Sequence, residues 1–200
     1  MLALTRLDIS FSLPVPVVFV RVAVWIVLVY RRLRYGYAFR RIPLTRGKFA
    51  IVDPEDFERL NQYKWFCTYH GYASRKVPKE LREHPKQTHS LMHRELCPVP
   101  DGMVVDHINR RPQDNRKANL RPATKQQNCW NAKFKRRPGS SRYTGIYFDK
   151  RKGKWLVHMG IDGRNRSFNY YADEVQAAKR YDELAKKYRG EFAVLNFPNE

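Results

Sequence analysis

Hydrophobic and polar positions along this chain change period several times, and each change marks an element. Residues 13–30 are almost continuously apolar, and Arg31, Arg32 and Arg34 follow. The run is barely long enough to cross a bilayer. Arg21 in its middle would cost roughly 2.5–3.5 kcal/mol on insertion scales, and Pro14 and Pro16 interrupt its first turn. A signal peptide is poorly supported, because the lead is long and weakly basic and no small-residue cleavage site follows. The expectation is an accessory extension over residues 1–35 or an artefact of start-site choice, with membrane anchoring through 13–30 as the alternative.

From residue 36 the texture is globular. Arg40 to Leu44 and Phe49 to Val52 predict two short strands around Thr45-Arg46-Gly47-Lys48. Asp53-Pro54-Glu55-Asp56 predicts a helix start with Asp53 as cap and Pro54 at the first helical position. Residues 63–74 predict a hairpin turning at His70-Gly71, residues 76–88 a surface loop, and residues 89–96 a short helix. Met103-Val104-Val105 predicts a strand that delivers Asp106 and His107 at its end, and Leu120-Arg121 a second strand. Thr124 to Gln127 fits a capping box, so a helix begins there with Asn128 one turn inside it.

A basic linker over 133–141 separates this part, 36–132, from a second one over 142–200. Residues 143–148, 154–161 and 166–171 predict three strands, with turns at Lys152-Gly153 and Asp162-Gly163. Asp173, with Gln176 completing a capping box, predicts a helix running to about Arg189 and stopped by Gly190. Val175, Ala178, Tyr181, Ala185 and Tyr188 recur at three- and four-residue steps and predict its buried face. The fold class is α+β, ending in a three-stranded antiparallel sheet packed on one α-helix.

Charge narrows the partner. The 200 residues carry a formal net charge of +20, which pulls a protein onto polyanions and puts nucleic acid first. Cys67, Cys97 and Cys129 form no CxxC pair. They support neither a zinc site nor a disulfide framework, fit a reducing compartment, and read as small apolar fillers.

The chemistry concentrates in one stretch. Asp106-His107 is followed after eleven residues by Asn119 and after eight more by Asn128. An oxygen ligand, an imidazole base, a loop-fixing amide and a second oxygen ligand can together hold one hard divalent cation beside an activated water. In a basic chain that equipment points to phosphodiester cleavage. Asn109 and Asn115 read as loop-shaping residues. His93 has two readings, a phosphate contact and a structural hydrogen bond, while His84 and His89 have no constellation around them. Arg116 and Arg121 are candidates to grip the DNA backbone near the cut.

The segment Val105-Asp-His-Ile-Asn through Asn119-Leu-Arg to Asn128 resembles the HNH homing endonucleases in their His-Asn-Asn variant, with the ββα-metal fold. Ile42-Pro-Leu-Thr-Arg-Gly-Lys, Tyr72-Ala-Ser-Arg and Leu91-Met-His-Arg resemble the lead-in of such phage-type enzymes. Tyr143-Thr-Gly-Ile, Gly153-Lys-Trp, Ala177-Ala-Lys-Arg-Tyr-Asp and Ala193-Val-Leu-Asn-Phe-Pro resemble the DNA-binding domain of plant ethylene-response-factor (APETALA-type) proteins. The resemblance implies that Asp106 and Asn128 bind one divalent ion, magnesium or a substitute such as manganese. It implies that His107 takes the proton of the attacking water and that Asn119 pins the loop holding it. Double-stranded DNA is the implied partner, with no small-molecule substrate, and a monomer acting in the cytoplasm of a bacterial or phage-infected cell. Tyr147, Lys150, Arg151, Lys152, His158, Arg164 and Arg166 are the expected DNA contacts of the tail. Most base-reading arginines of the plant family are missing, so its GC-rich target is not implied. Two other readings remain: a transcription-factor-like binder with an inert nuclease module, and a structural nucleic-acid protein, which explains the charge but neither motif.

Overall fold

The computed structural model describes residues 16–82, 84, 86–132, 141–161 and 163–199. Most of the predicted basic linker, 133–140, lies outside the described residues. Helices and strands are mixed throughout, as the α+β class requires.

The apolar N-terminal run forms helix α1 (Val17–Tyr35), closed by Gly36 at φ 80°. It buries none of its residues, and Val17, Val18, Phe19, Trp25 and Ile26 are all exposed. Its last turn is tied down by Arg31, which donates to the Phe39 carbonyl at 2.6 Å and stacks on the Phe39 ring. Among the described residues no helix is long and apolar enough to cross a membrane.

Strands β1 (Arg40–Pro43) and β2 (Phe49–Val52) pair antiparallel, and their alternation buries Ile42, Ala50 and Val52. The predicted cap at Asp53 forms differently. Pro54–Asp56 is a 3₁₀ turn leading into α2 (Phe57–Asn61), and the Asp53 side chain caps neither. Its Oδ2 instead accepts from the Lys117 backbone N–H at 2.7 Å, a tertiary bond that wins over the local one. Strands β3 (Phe66–Cys67), β4 (Ala73–Lys76) and β5 (His89–Leu91) follow in that sheet order. The helix expected over 89–96 is therefore split. Residues 89–91 complete the β4 edge, and only α3 (Met92–Leu96) is helical. Unsatisfied edge groups of β4 outweigh a weak helical preference.

Strands β6 (Val104–His107) and β7 (Leu120–Ala123) pair with Asp106 opposite Arg121 and His107 opposite Leu120. Helix α4 (Lys125–Asn131) follows, with both bonds of the Thr124–Gln127 capping box in place. Ile42, Val52, Leu60, Trp65, Met92, Val105 and Leu120 are among the residues sharing one core beneath these elements.

A second core belongs to β8 (Ile146–Asp149), β9 (Lys154–Ile161), β10 (Arg164–Tyr171) and α5 (Glu174–Arg189), with β9 central. Asp173 caps α5 by accepting from Gln176 N–H at 2.8 Å. The buried face is Ala177, Ala178, Tyr181, Leu184 and Ala185; the expected Val175 and Tyr188 stand at its rim, Tyr188 exposed. The shift follows from small residues, because alanines let the helix lie close on β9. Gly145, at φ 74°, passes so near Tyr181 that an added Cβ would overlap the ring. Buried Asp182 accepts from the backbone N–H groups of Asn196 and Phe197, both at 2.8 Å, and so anchors the chain end. Of the cysteines, Cys67 is buried, Cys97 half-buried and Cys129 exposed, so the filler reading does not fit Cys129.

Candidate active site

Strand β6 ends in two buried polar residues, Asp106 and His107, which the 2-residue period alone would place on opposite faces. Asn131 of α4 meets Asp106 and the His107 carbonyl, while the His93 and Tyr72 rings and Asn115 of the 108–119 loop stand against the His107 ring. An open pocket of about 270 Å³ is lined by Tyr72, Asp106, His107, Arg110, Asn128 and Asn131, with others. Three of the four sequence-predicted nuclease residues thus line one cavity. Asn119 does not line it and sits behind the loop.

Asn119 holds that loop. Its Nδ2 donates to the Asp114 carbonyl at 2.7 Å and to Asn109 Oδ1 at 3.0 Å, and its Oδ1 accepts from Asn109 N–H at 2.9 Å. Asn109 Nδ2 donates on to Asp114 Oδ2 at 2.7 Å, and Arg116 grips the same carboxylate at 2.8 and 2.7 Å. Burial alone would raise the Asp114 carboxyl; the Arg116 fork outweighs it and holds the group below its usual range. Reciprocal backbone bonds between Ile51 and the Gln113 carbonyl, and between Asn115 and the Ile51 carbonyl, both 2.7 Å, fasten the loop to β2.

The His107 ring packs edge-on to His93 at 5.1 Å between centroids, with Tyr72 at 5.8 Å; Tyr72 and His93 also meet at 5.1 Å. Burial lowers the His107 pKa, while the Asn115 amide and the Asp106 and Asp114 carboxylates pull it upward. Asn115 is close without being well aligned, since its Oδ1 and the His107 Nε2 both lack hydrogen-bond partners among the described residues. A neutral imidazole can accept a proton, and since Nε2 is buried, the nitrogen that meets a water in the pocket is Nδ1. His93 is buried too, and burial with the nearby His107 and Arg94 charges lowers its pKa to about 3. Of its two expected roles, an exposed phosphate contact does not suit a buried neutral ring, and among the described residues Nδ1 has no hydrogen-bond partner.

Asn131 is the residue that sequence reasoning missed. Its Nδ2 lies 2.9 Å from Asp106 Oδ1, Asp106 Oδ2 and the His107 carbonyl oxygen. The only signal for it was spacing: it follows Asn128 by three positions, on the same face of α4. Asp106 Oδ2 also accepts from Arg121 Nε at 2.8 Å. A carboxylate offers about four lone-pair sites, so these bonds leave acceptor capacity on Oδ1.

Among the described residues no group of three or more His, Cys, Asp or Glu is placed to hold a metal ion. A cation here would rest on one carboxylate, an amide oxygen, water and the substrate phosphate. Such an all-oxygen, solvent-completed set suits a hard ion like Mg²⁺ rather than zinc, and the free capacity on Asp106 fits it.

The expected DNA contacts divide. Arg116 and Arg121 are committed internally: Arg116 to Asp114 and the Tyr37 ring at 3.3 Å, Arg121 to Asp106 and Glu191. Tyr147, Lys150, Arg151, Lys152 and His158 are exposed on β8, the following turn and β9. Arg164 and Arg166 are exposed as well, but their register opposite Ile161 and Met159 sets them on the α5 side of the edge strand. The helix-free face instead carries Tyr147, Lys154, His158 and Tyr170, of which Lys154 and Tyr170 were not anticipated.

Residues 87–129 match the family model described as HNH endonuclease, a span that includes Asp106, His107, Asn119 and Asn128 and stops before Asn131. The chain is similar to an uncharacterized HNH endonuclease of Acanthamoeba polyphaga mimivirus, 28% identical over 153 residues and 76% of each chain. It is also similar to Protein 3.8 of Escherichia phage T7, 27% identical over 94 residues, which are 47% of this chain and 77% of that protein. No solved structure matches. These likenesses support a nuclease. They do not confirm the ethylene-response-factor likeness of residues 143–198.

Proposed function

We propose that this chain is a metal-dependent DNA endonuclease whose C-terminal sheet holds the DNA. The observation that carries the reading is the convergence of Asp106, His107 and Asn128 on one pocket. Asp106 and Asn128 would hold the ion. Bound there, a divalent ion supplies Lewis-acid polarisation of the phosphate and charge neutralisation at the departing 3′ oxygen.

His107 accepts the proton of a water whose oxygen forms the new bond to phosphorus. The bond from phosphorus to the 3′ oxygen breaks, the 3′ oxygen takes a proton from solvent, and a 5′ phosphate remains. Tyr72 and His93 restrict the His107 ring from two sides, and Asn119 holds the loop that closes over it. Asn131 orients the Asp106 carboxylate while bonding the His107 carbonyl, so one amide aligns both neighbours.

The helix-free face of the C-terminal sheet, with Tyr147, Lys154, His158 and Tyr170, and the adjoining Lys150-Arg151-Lys152 turn form the DNA surface. Aromatic and cationic groups together favour phosphate positioning with few base contacts. Tethering through this surface raises the local concentration of the cutting site at its DNA.

Plasmid nicking in Mg²⁺ or Mn²⁺ tests the proposal. His107→Ala and Asp106→Ala should each cut roughly 10²–10⁴-fold more slowly, with DNA binding retained. Undiminished nicking by His107→Ala rejects the assignment. Binding without any metal-dependent cutting by the unaltered chain favours the transcription-factor-like alternative.

A further inference from the structure

Arg121, expected at the DNA backbone, spans the two cores of the chain instead. Its Nε donates to Asp106 Oδ2 at 2.8 Å, and its Nη1 donates to the Glu191 carbonyl at 2.9 Å and to Glu191 Oε2 at 3.0 Å. The flat of the guanidinium lies 3.7 Å from the centroid of the Phe192 ring. Glu191 and Phe192 belong to the 3₁₀ turn Gly190–Phe192 that ends α5, and Phe192 is buried. Beside this contact, the Arg189 guanidinium stands 5.8 Å from the Trp130 ring of α4.

A carboxylate turns broadly about its terminal torsion unless its oxygens are held. Asn131 donates from a single nitrogen to both Asp106 oxygens, which leaves the plane of the group free to tilt. Arg121 adds a constraint through one bond, Nε to Oδ2, given from a rigid planar guanidinium whose donors keep fixed directions. That group is itself fixed only where its other edge and its face are filled. The Glu191 carbonyl fills the edge and Phe192 the face. An arginine kept for phosphate would show its fork to solvent, whereas this side chain is only 11% exposed.

We propose that Arg121 is a positioning residue for Asp106, and that the Glu191–Phe192 turn of the C-terminal part holds it there. The cutting site is then completed by the segment that also carries the DNA surface. This rests on the endonuclease reading for the role of Asp106, although the linkage itself does not. Removing such a supporting partner typically costs 10–100-fold in activity.

The test uses the full chain. Phe192→Leu keeps a buried apolar side chain but loses the flat ring, Phe192→Tyr keeps the ring, and Arg121→Lys keeps the charge but loses the fork. The proposal expects single-turnover nicking at saturating Mg²⁺ to fall about ten-fold or more in Phe192→Leu and Arg121→Lys, with unchanged DNA affinity. Phe192→Tyr should restore the rate. A second readout needs no metal and no activity: the Asn131 side-chain amide signal of the ¹⁵N-labelled protein, assigned through its loss in Asn131→Asp. That signal should move in Phe192→Leu and Arg121→Lys and stay in place in Phe192→Tyr.

Wild-type cutting with an unmoved Asn131 signal in both Phe192→Leu and Arg121→Lys overturns the proposal. So does weakened DNA binding in Arg121→Lys with unchanged cutting of bound DNA, which would make Arg121 a phosphate contact. Should Asp106→Ala cut as fast as the unaltered chain, the endonuclease assignment fails. The amide signal still decides the linkage in that case.

Discussion

His93 shows how burial decides what a titratable side chain can do. Folded, its pKa is about 3; unfolded, it returns toward the ordinary 6.5. Between those values the unfolded chain binds a proton that the folded chain refuses, so stability falls as pH drops through the window. Above about pH 6.5 both forms are neutral and this group contributes no pH dependence. The slope from one such proton is at most roughly 1.4 kcal/mol per pH unit. His93→Phe keeps a ring against Tyr72 and His107 but removes the proton. Its urea midpoint should decline less steeply than that of the unaltered chain from about pH 6.5 downward. Parallel declines would show that the group does not control acid stability. The same burial keeps His107 neutral at lower pH than an exposed histidine, which suits a proton acceptor.

Helix α4 is short, and its seven residues carry both Asn128 and Asn131. A helix of that length has no independent stability in water, so its start must be fixed from outside. Thr124 accepts from Gln127 N–H at 3.1 Å, and the Gln127 side chain accepts from Thr124 N–H at 2.8 Å. Thr124→Ala removes one of these bonds and should cost about 1 kcal/mol, read as a lower denaturation midpoint. Because the loosened turn is the one aiming the two asparagines, nicking should fall by more than that stability loss alone implies. Equal activity per folded molecule would mean that tertiary contacts place α4 without its cap.

At the scale of the molecule, a surplus of +20 is not spread evenly over uses. Arg116 and Arg121 are spent inside, on Asp114 and Asp106. Lys150, Arg151 and Lys152 remain at the exposed turn of the C-terminal sheet. DNA affinity should therefore fall with salt, and the log–log slope should shrink by about one for each phosphate contact removed. Alanine at Lys150, Arg151 or Lys152 should reduce that slope. Arg116→Ala should leave it unchanged while destabilising the 108–119 loop. A slope indifferent to the turn lysines would place the DNA surface elsewhere.

Much of this architecture was legible in the chain itself, for reasons of short range. Alternation, turn glycines and the capping box at Thr124 are local signals. They located β1, β2, β6, β7, the three strands of the C-terminal sheet and both later helices to within a few residues. The fixed distances from Asp106 through Asn119 to Asn128 singled out a compact polar set for the same reason, since one strand–loop–strand–helix unit contains it. What the sequence could not settle was competition between partners far apart along the chain. Asp53 leaves its helix for Lys117, residues 89–91 join β4 rather than α3, and His93 comes to rest against His107. Arg121, which a linear reading offers to a phosphate or to solvent, turns inward because the fold brings a carboxylate, a carbonyl and an aromatic ring to its two edges and its face. Local propensities of a few tenths of a kcal/mol specify elements. The larger cost of leaving a buried charge or backbone group unpaired decides where each side chain finally points, and only the assembled structure reveals which partner is near enough to meet it.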